Sequence, residues 1–179
     1  MSIIEIITIS WVLSLDAFTV AICKGLNINK SVKKCLIIGI YFGLFQAIMP
    51  IIGYLLSLSL KRYFISFAKI IATTILGIIG FQMIREGLDK EREISEETSI
   101  KKMFPLAIAT SIDALAVGVS FSFLNINIIT SSIIIGVITF VNSSAGAYIG
   151  NKISNRLGNK SLILGGIILT ILAIKTIIK

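Results

Sequence analysis

Apolar residues fall into six long blocks, at residues 3–23, 36–60, 65–84, 104–124, 126–149 and 162–178. Each is near the ~20 residues that carry a helix across a bilayer. Inside a bilayer a lone span must satisfy its own backbone, which a helix does and a strand does not. The pattern therefore predicts an all-α, polytopic membrane protein with six transmembrane helices. The last block is short, and Lys175 sits inside it, as Lys69 sits at the start of the third. Both lie near span ends, where a long stem can carry the charge to the headgroups. The first block is expected to be a true span and not a cleaved leader. It has no basic region before it, it holds Glu5 and Asp16, and no small-residue cleavage site follows.

Composition agrees. Of 179 residues, 55% are hydrophobic and 15% charged, with a mean hydropathy of +0.96. A soluble domain of this length carries more polar surface. The formal net charge of +8 invites a nucleic-acid partner, but the hydropathy favours the positive-inside rule, and no nucleic acid is expected. Lys24, Lys30, Lys33 and Lys34 fill the first connection. Arg85, Lys90, Arg92, Lys101 and Lys102 fill the third, and Lys152, Arg156 and Lys160 the fifth. The opposite side holds Lys61, Arg62, Lys69, Lys175 and Lys179. Connections one, three and five are thus expected in the cytoplasm and both termini outside, and the isoleucine- and lysine-heavy usage suggests an AT-rich bacterial genome and hence a bacterial plasma membrane.

The chain also repeats itself. A shift of 97 residues brings Ser14-Leu15-Asp16-Ala17 onto Ser111-Ile112-Asp113-Ala114. The same shift brings Ile37-Ile38-Gly39 onto Ile134-Ile135-Gly136, and Ile52-Gly53 onto Ile149-Gly150. Residues 1–84 and 104–179 then form two three-helix repeats, joined by a charged cytoplasmic linker at 85–103. Three spans per half give the halves opposite orientations, so the repeat is inverted. Loop charge follows: the first connection is basic where its counterpart, 125–127, has no charge.

An aspartate in hydrocarbon costs roughly 2.5–3.5 kcal/mol on insertion scales. Meeting that cost at two equivalent places, Asp16 and Asp113, points to paired ligands for a cation. On a helix Asp16 shares a face with Thr19 and Cys23, and Asp113 with Thr110 and Ser120. Ser14 and Ser111 precede the acids by two residues. The second span adds Gln46 and then Pro50, a helix breaker that frees carbonyls near Gln46. The repeat places Ser143 at the position of Gln46, with Asn142 and Ser144 beside it. Gln46 and Asn142 are either ligands or hydrogen-bonding glue between helices.

Carboxylate, amide and hydroxyl oxygens make a hard set suited to magnesium, calcium or manganese. No histidine occurs, and Cys23 and Cys35 form no metal motif. Met49 and Met83 read as apolar filler. Loss of a divalent ion would leave two like charges in dry surroundings, which favours proton uptake. Protons are thus a candidate coupling partner. No resident cofactor and no enzymatic activity are expected.

Five motifs in order give the chain a family resemblance. They are Ser14-Leu15-Asp16-Ala17-Phe18; Phe42-Gly43 through Pro50 and Gly53; Met83-Ile84 with Glu86-Gly87; residues 109–118, from Ala109-Thr110-Ser111 to Val117-Gly118; and Ile163-Leu164-Gly165-Gly166. In these the chain resembles the MntP-type manganese efflux pumps of the lysine-exporter superfamily. The resemblance implies manganese export from the cytoplasm with Asp16 and Asp113 as the acidic pair. It also marks Glu86 as either a gating residue or an exposed charge. The chain departs from the family at Gln46, where some members have glutamate, and at Leu162, where many do. Cadmium or amino-acid export, a non-transporting scaffold and an intramembrane aspartyl protease are the alternatives. No basic residue sits at mid-span to hold an amino-acid carboxylate, and the acids lack the protease pairing Tyr-Asp with Gly-x-Gly-Asp.

Overall fold

The computed structural model describes residues 2–26, 28, 31–59, 100–124 and 126–157, with scattered positions in 70–88 and 163–174. Five helices lie in this set: α1 (Ile3–Gly25), α2 (Val32–Ser59), α3 (Ile100–Thr110), α4 (Ile112–Phe123) and α5 (Ile128–Leu157). No strand occurs among the described residues. Stretches Ile3–Gly25, Val32–Ser57 and Ile128–Ile153 are each long and apolar enough to cross a bilayer. α3 and α4 together make a fourth such stretch, bent by 41°. The third and sixth expected spans fall mostly outside the described residues.

The helices outrun the apolar blocks that announce them. α2 starts at Val32 with Lys33 and Lys34 in its first turn, and α5 runs on past Lys152. Lysine and arginine are good helix formers, so the basic flanks extend the helix into the headgroups. The start of α1 is fixed by a capping box. The Ser2 hydroxyl accepts from the Glu5 amide at 3.3 Å, and the Glu5 carboxylate accepts from the Ser2 amide at 3.0 Å.

The helices pack through small residues, as helices in lipid do. α1 and α5 run in the same direction. Asn142 meets Ser14, Gly146 meets the Phe18 carbonyl, and Gly150 meets the Ile22 carbonyl. α2 runs against α5, with Gly39 beside Phe140 and Ser144, and Gly136 beside Gly43 and Ala47. These two contacts are reciprocal: a 97-residue shift turns Gly39 into Gly136, Phe140 into Gly43 and Ser144 into Ala47. α2 runs the same way as the bent pair. Phe45 stacks edge-on against Phe104 at 5.2 Å, Pro50 lies on Gly118, and Ser57 hydrogen-bonds Ser122. Large side chains such as Ile133, Val137 and Val141 point outward along one side of α5. In water such a stripe would be an aggregation hazard; in lipid it is the solvated face.

The break comes at a place the sequence does not announce. Pro50 predicts an interruption of the second span, yet α2 continues through it. A single proline forfeits one hydrogen bond, and membrane helices tolerate that when neighbours support the backbone. Here the bare backbone of Gly118 lies against the Pro50 carbonyl. The fourth span, expected as one helix, is instead divided at Ser111, whose φ of −103° and ψ of 7° leave the helical range.

A Cβ at Gly136 would lie 2.7 Å from the Ala47 Cβ and 3.0 Å from the Gly43 carbonyl. Gly136→Val should therefore destabilise by about 1–3 kcal/mol through overpacking. A lowered melting temperature in detergent is the expected reading. Val137→Leu, on the outward side of the same helix, should leave it unchanged.

Candidate functional site

α1, α2 and α5 converge near the middle of α1. Ser14 is fully buried and donates to the Trp11 carbonyl at 2.7 Å. It also accepts from the Asn142 amide at 2.6 Å. Gln46, 1% exposed, donates from Nε2 to the Leu13 carbonyl at 3.2 Å. One side chain from each half of the chain thus reaches adjacent residues of α1, two to three residues before Asp16. Asp16 itself is half-buried on that helix. The Gln46 Oε1 atom is buried and engages no partner among the described residues. The same holds for the hydroxyls of Ser143 and Ser144. The Thr19 hydroxyl turns back to the Leu15 carbonyl at 2.8 Å.

The second cluster lies at the bend. Interrupting a helix leaves carbonyls without amide donors, and hydrocarbon offers no water to replace them. Two adjacent hydroxyls fill the gap. Thr110 donates to the Leu106 carbonyl at 3.1 Å and the Ala107 carbonyl at 3.2 Å. Ser111 donates to the Ala107 carbonyl, and to the Ile108 carbonyl at 3.3 Å. The Ser111 amide closes a tight turn onto Ile108 at 3.1 Å. Hydroxyls that bond back to the preceding turn bend helices in this way. The bend has a chemical result: Asp113 becomes a first-turn residue of α4. That places it at the positive end of the helix dipole. Asp113 is half-buried.

The structure thus brings Ser14, Gln46 and Asn142 together beside Asp16, and Thr110 and Ser111 together beside Asp113. Pro50 does not interrupt its helix, although having no amide proton it still leaves the Gln46 carbonyl without its usual donor. Glu86 lies outside the described residues. Among the described residues no three acidic, thiol or imidazole side chains gather. A cation bound among them would therefore draw most of its ligands from neutral oxygens. Thr139 is a residue the sequence reading passed over. It is fully buried, and its hydroxyl has no partner among the described residues. Its spacing of four before Ser143 was the available signal, since i and i+4 share a helix face.

Removing both hydroxyls at the bend, with Thr110→Val and Ser111→Ala, should leave the Ala107 carbonyl unsatisfied, at about 1–3 kcal/mol. The expected outcome is lower thermal stability in detergent than either single variant shows.

Comparison with known proteins gives this arrangement its context. Residues 29–177 match a family model described as "Putative manganese efflux pump". A relative from Methanobrevibacter smithii, named "Putative manganese efflux pump MntP", is 42% identical over 99% of this chain and 97% of its own. One of the same name from Acetivibrio thermocellus is 46% identical over 94% of this chain and 87% of its own. One from Campylobacter jejuni is 44% identical over 98% of this chain and 95% of its own. No solved structure matches. These relatives carry a transporter's name and not an enzyme's, and apolar spans accompany it in this chain. By family match and by near full-length identity, the chain belongs to the MntP family of multi-pass membrane proteins.

Proposed function

We propose that this protein exports Mn2+ from the cytoplasm by alternating access, holding the ion between Asp16 and Asp113 at mid-bilayer. The names of its relatives support the substrate and the direction. The observation that carries the site is the meeting of Gln46 and Asn142, from different halves, at Leu13 and Ser14 beside Asp16. Such convergence gathers amide and hydroxyl side chains from both halves at the turn of α1 that leads into Asp16, and carboxylate with amide and hydroxyl oxygens is a donor set that suits Mn2+. The free Oε1 of Gln46 and hydroxyl of Ser143 add neutral oxygens with unused lone pairs. Asp113, on the first turn of a half-helix, matches the discontinuous helices that build ion sites in secondary transporters.

Six spans in two inverted repeats complete the reading. The reciprocal contact of Gly39 and Gly136 supports the pseudo-symmetry. The shared direction of α2 and the bent pair supports one further crossing between them. Basic connections one, three and five are cytoplasmic, and both termini are outside. One half rocks against the other to present the site to either side. Proton uptake by the acids on metal release balances the charge of the returning site.

Asp16→Asn and Asp113→Asn keep shape and remove charge. In a host lacking its own exporter, the wild type should protect against manganese and each variant should fail to. Protection retained by both variants would remove the acids from the mechanism. Asn142→Ala should weaken Mn2+ binding roughly 10–100-fold, as loss of a ligand's supporting partner does. Competition with a fluorescent chelator in detergent reads that change. In inverted vesicles, collapsing the pH gradient should slow Mn2+ uptake.

A further inference from the structure

Ser132, Thr139 and Ser143 lie along one side of α5, seven and four residues apart. By helical rise the steps are about 10 Å and 6 Å. Each residue is at most 1% exposed, and the hydroxyl of each has no hydrogen-bond partner among the described residues. This is unusual within the molecule. Ser10, Thr19, Thr110 and Ser120 all bond back to a carbonyl four residues earlier. That is the default for a hydroxyl on a membrane helix. A hydroxyl kept unpaired in a dry interior is costly. Three in register along one helix face form a line of open oxygen donors.

The line has a start and a direction. It begins at Ser143, next to Asn142 and on the helix that meets Ser14. It passes Thr139 and ends at Ser132, near the N-terminal end of α5 and the uncharged 125–127 connection. Gly136 lies between its members, against Gly43 and Ala47. At Gly136 the two helices meet backbone to backbone, and the Phe140 side chain on the neighbouring turn packs over Gly43, so parting the helices there would open the line. A carboxylate on such a route would trap a divalent cation. Neutral hydroxyls replace part of its hydration shell and release it readily, as conduction requires.

We propose that Ser143, Thr139 and Ser132 line the route by which the bound divalent cation leaves the mid-bilayer site for the outer face. The described structure holds that route closed. The proposal rests on the export reading and on the 125–127 connection being external. Ser132→Cys and Thr139→Cys are near-isosteric and report access directly. A membrane-impermeant methanethiosulfonate is added to whole cells and, separately, to inverted vesicles. The wild type is the control, because Cys23 and Cys35 are both buried. Both introduced thiols should be labelled in whole cells, and Mn2+ in the medium should slow the reaction. Labelling only in inverted vesicles, or from neither side, overturns the proposal.

Transport supplies the second arm. The combined Ser132→Ala, Thr139→Val variant, which spares the site residue Ser143, should export Mn2+ more slowly than the wild type while binding it as tightly in detergent. Thr139→Ser, which keeps the hydroxyl, should export at the wild-type rate. A double variant that exports normally overturns the route. If the wild type itself moves no Mn2+, the export reading fails, and the labelling pattern still reports whether the line opens outward.

Discussion

Hydrocarbon offers a polar atom no partner, so each one buried in a membrane protein must find its partner within the chain. That constraint shapes this bundle more than apolar packing does, because lipid tails are as welcoming to leucine as another helix is. It explains why hydroxyls fold back onto the turn before them. It explains why Gln46 and Asn142 cross between helices to reach α1. It also explains how the fourth span can break at all: the Ser111 amide turns to Ile108, and the hydroxyls of Thr110 and Ser111 both reach the Ala107 carbonyl left behind. On α2 and α5 the constraint is not met at Gln46 Oε1 and at the hydroxyls of Ser132, Thr139, Ser143 and Ser144, which have no partner among the described residues.

Spans were legible in the sequence because a helix in lipid needs only length and apolarity, and both can be counted. The ends were less so. Basic residues that terminate an apolar block do not terminate a helix, and α5 runs from Ile128 to Leu157 although its apolar block stops at 149. The break was misread for a local reason. Proline is the visible helix breaker, but Pro50 sits against a glycine that accommodates it. The Thr-Ser pair at 110–111 looks innocuous until its hydroxyls are seen competing with the backbone.

The site was legible in part. Asp16 and Asp113 stand out because charge in a greasy run is rare. The neighbours of Asp16 depend on which helix faces which, and that is tertiary information. The 97-residue shift makes Gln46 and Ser143 equivalent positions, which does not say what either one touches. Thr139 escaped because a threonine in an apolar span is common, and only its burial without a partner marks it. Glu86 and the third and sixth spans lie outside the described residues, so their sequence readings stand as expectations.

The two copies of Ser-x-Asp-Ala do not take the same shape. Around Ser14 the helix is continuous, with the serine bonded to Trp11; around Ser111 it turns by 41°. Near-identical local sequence thus takes a straight backbone in one half and a bent one in the other, with surrounding contacts making the choice. Under the proposed alternating access, an exchange of shapes between the halves would pass the elbow from one aspartate to the other, and the opening from one face of the membrane to the opposite one.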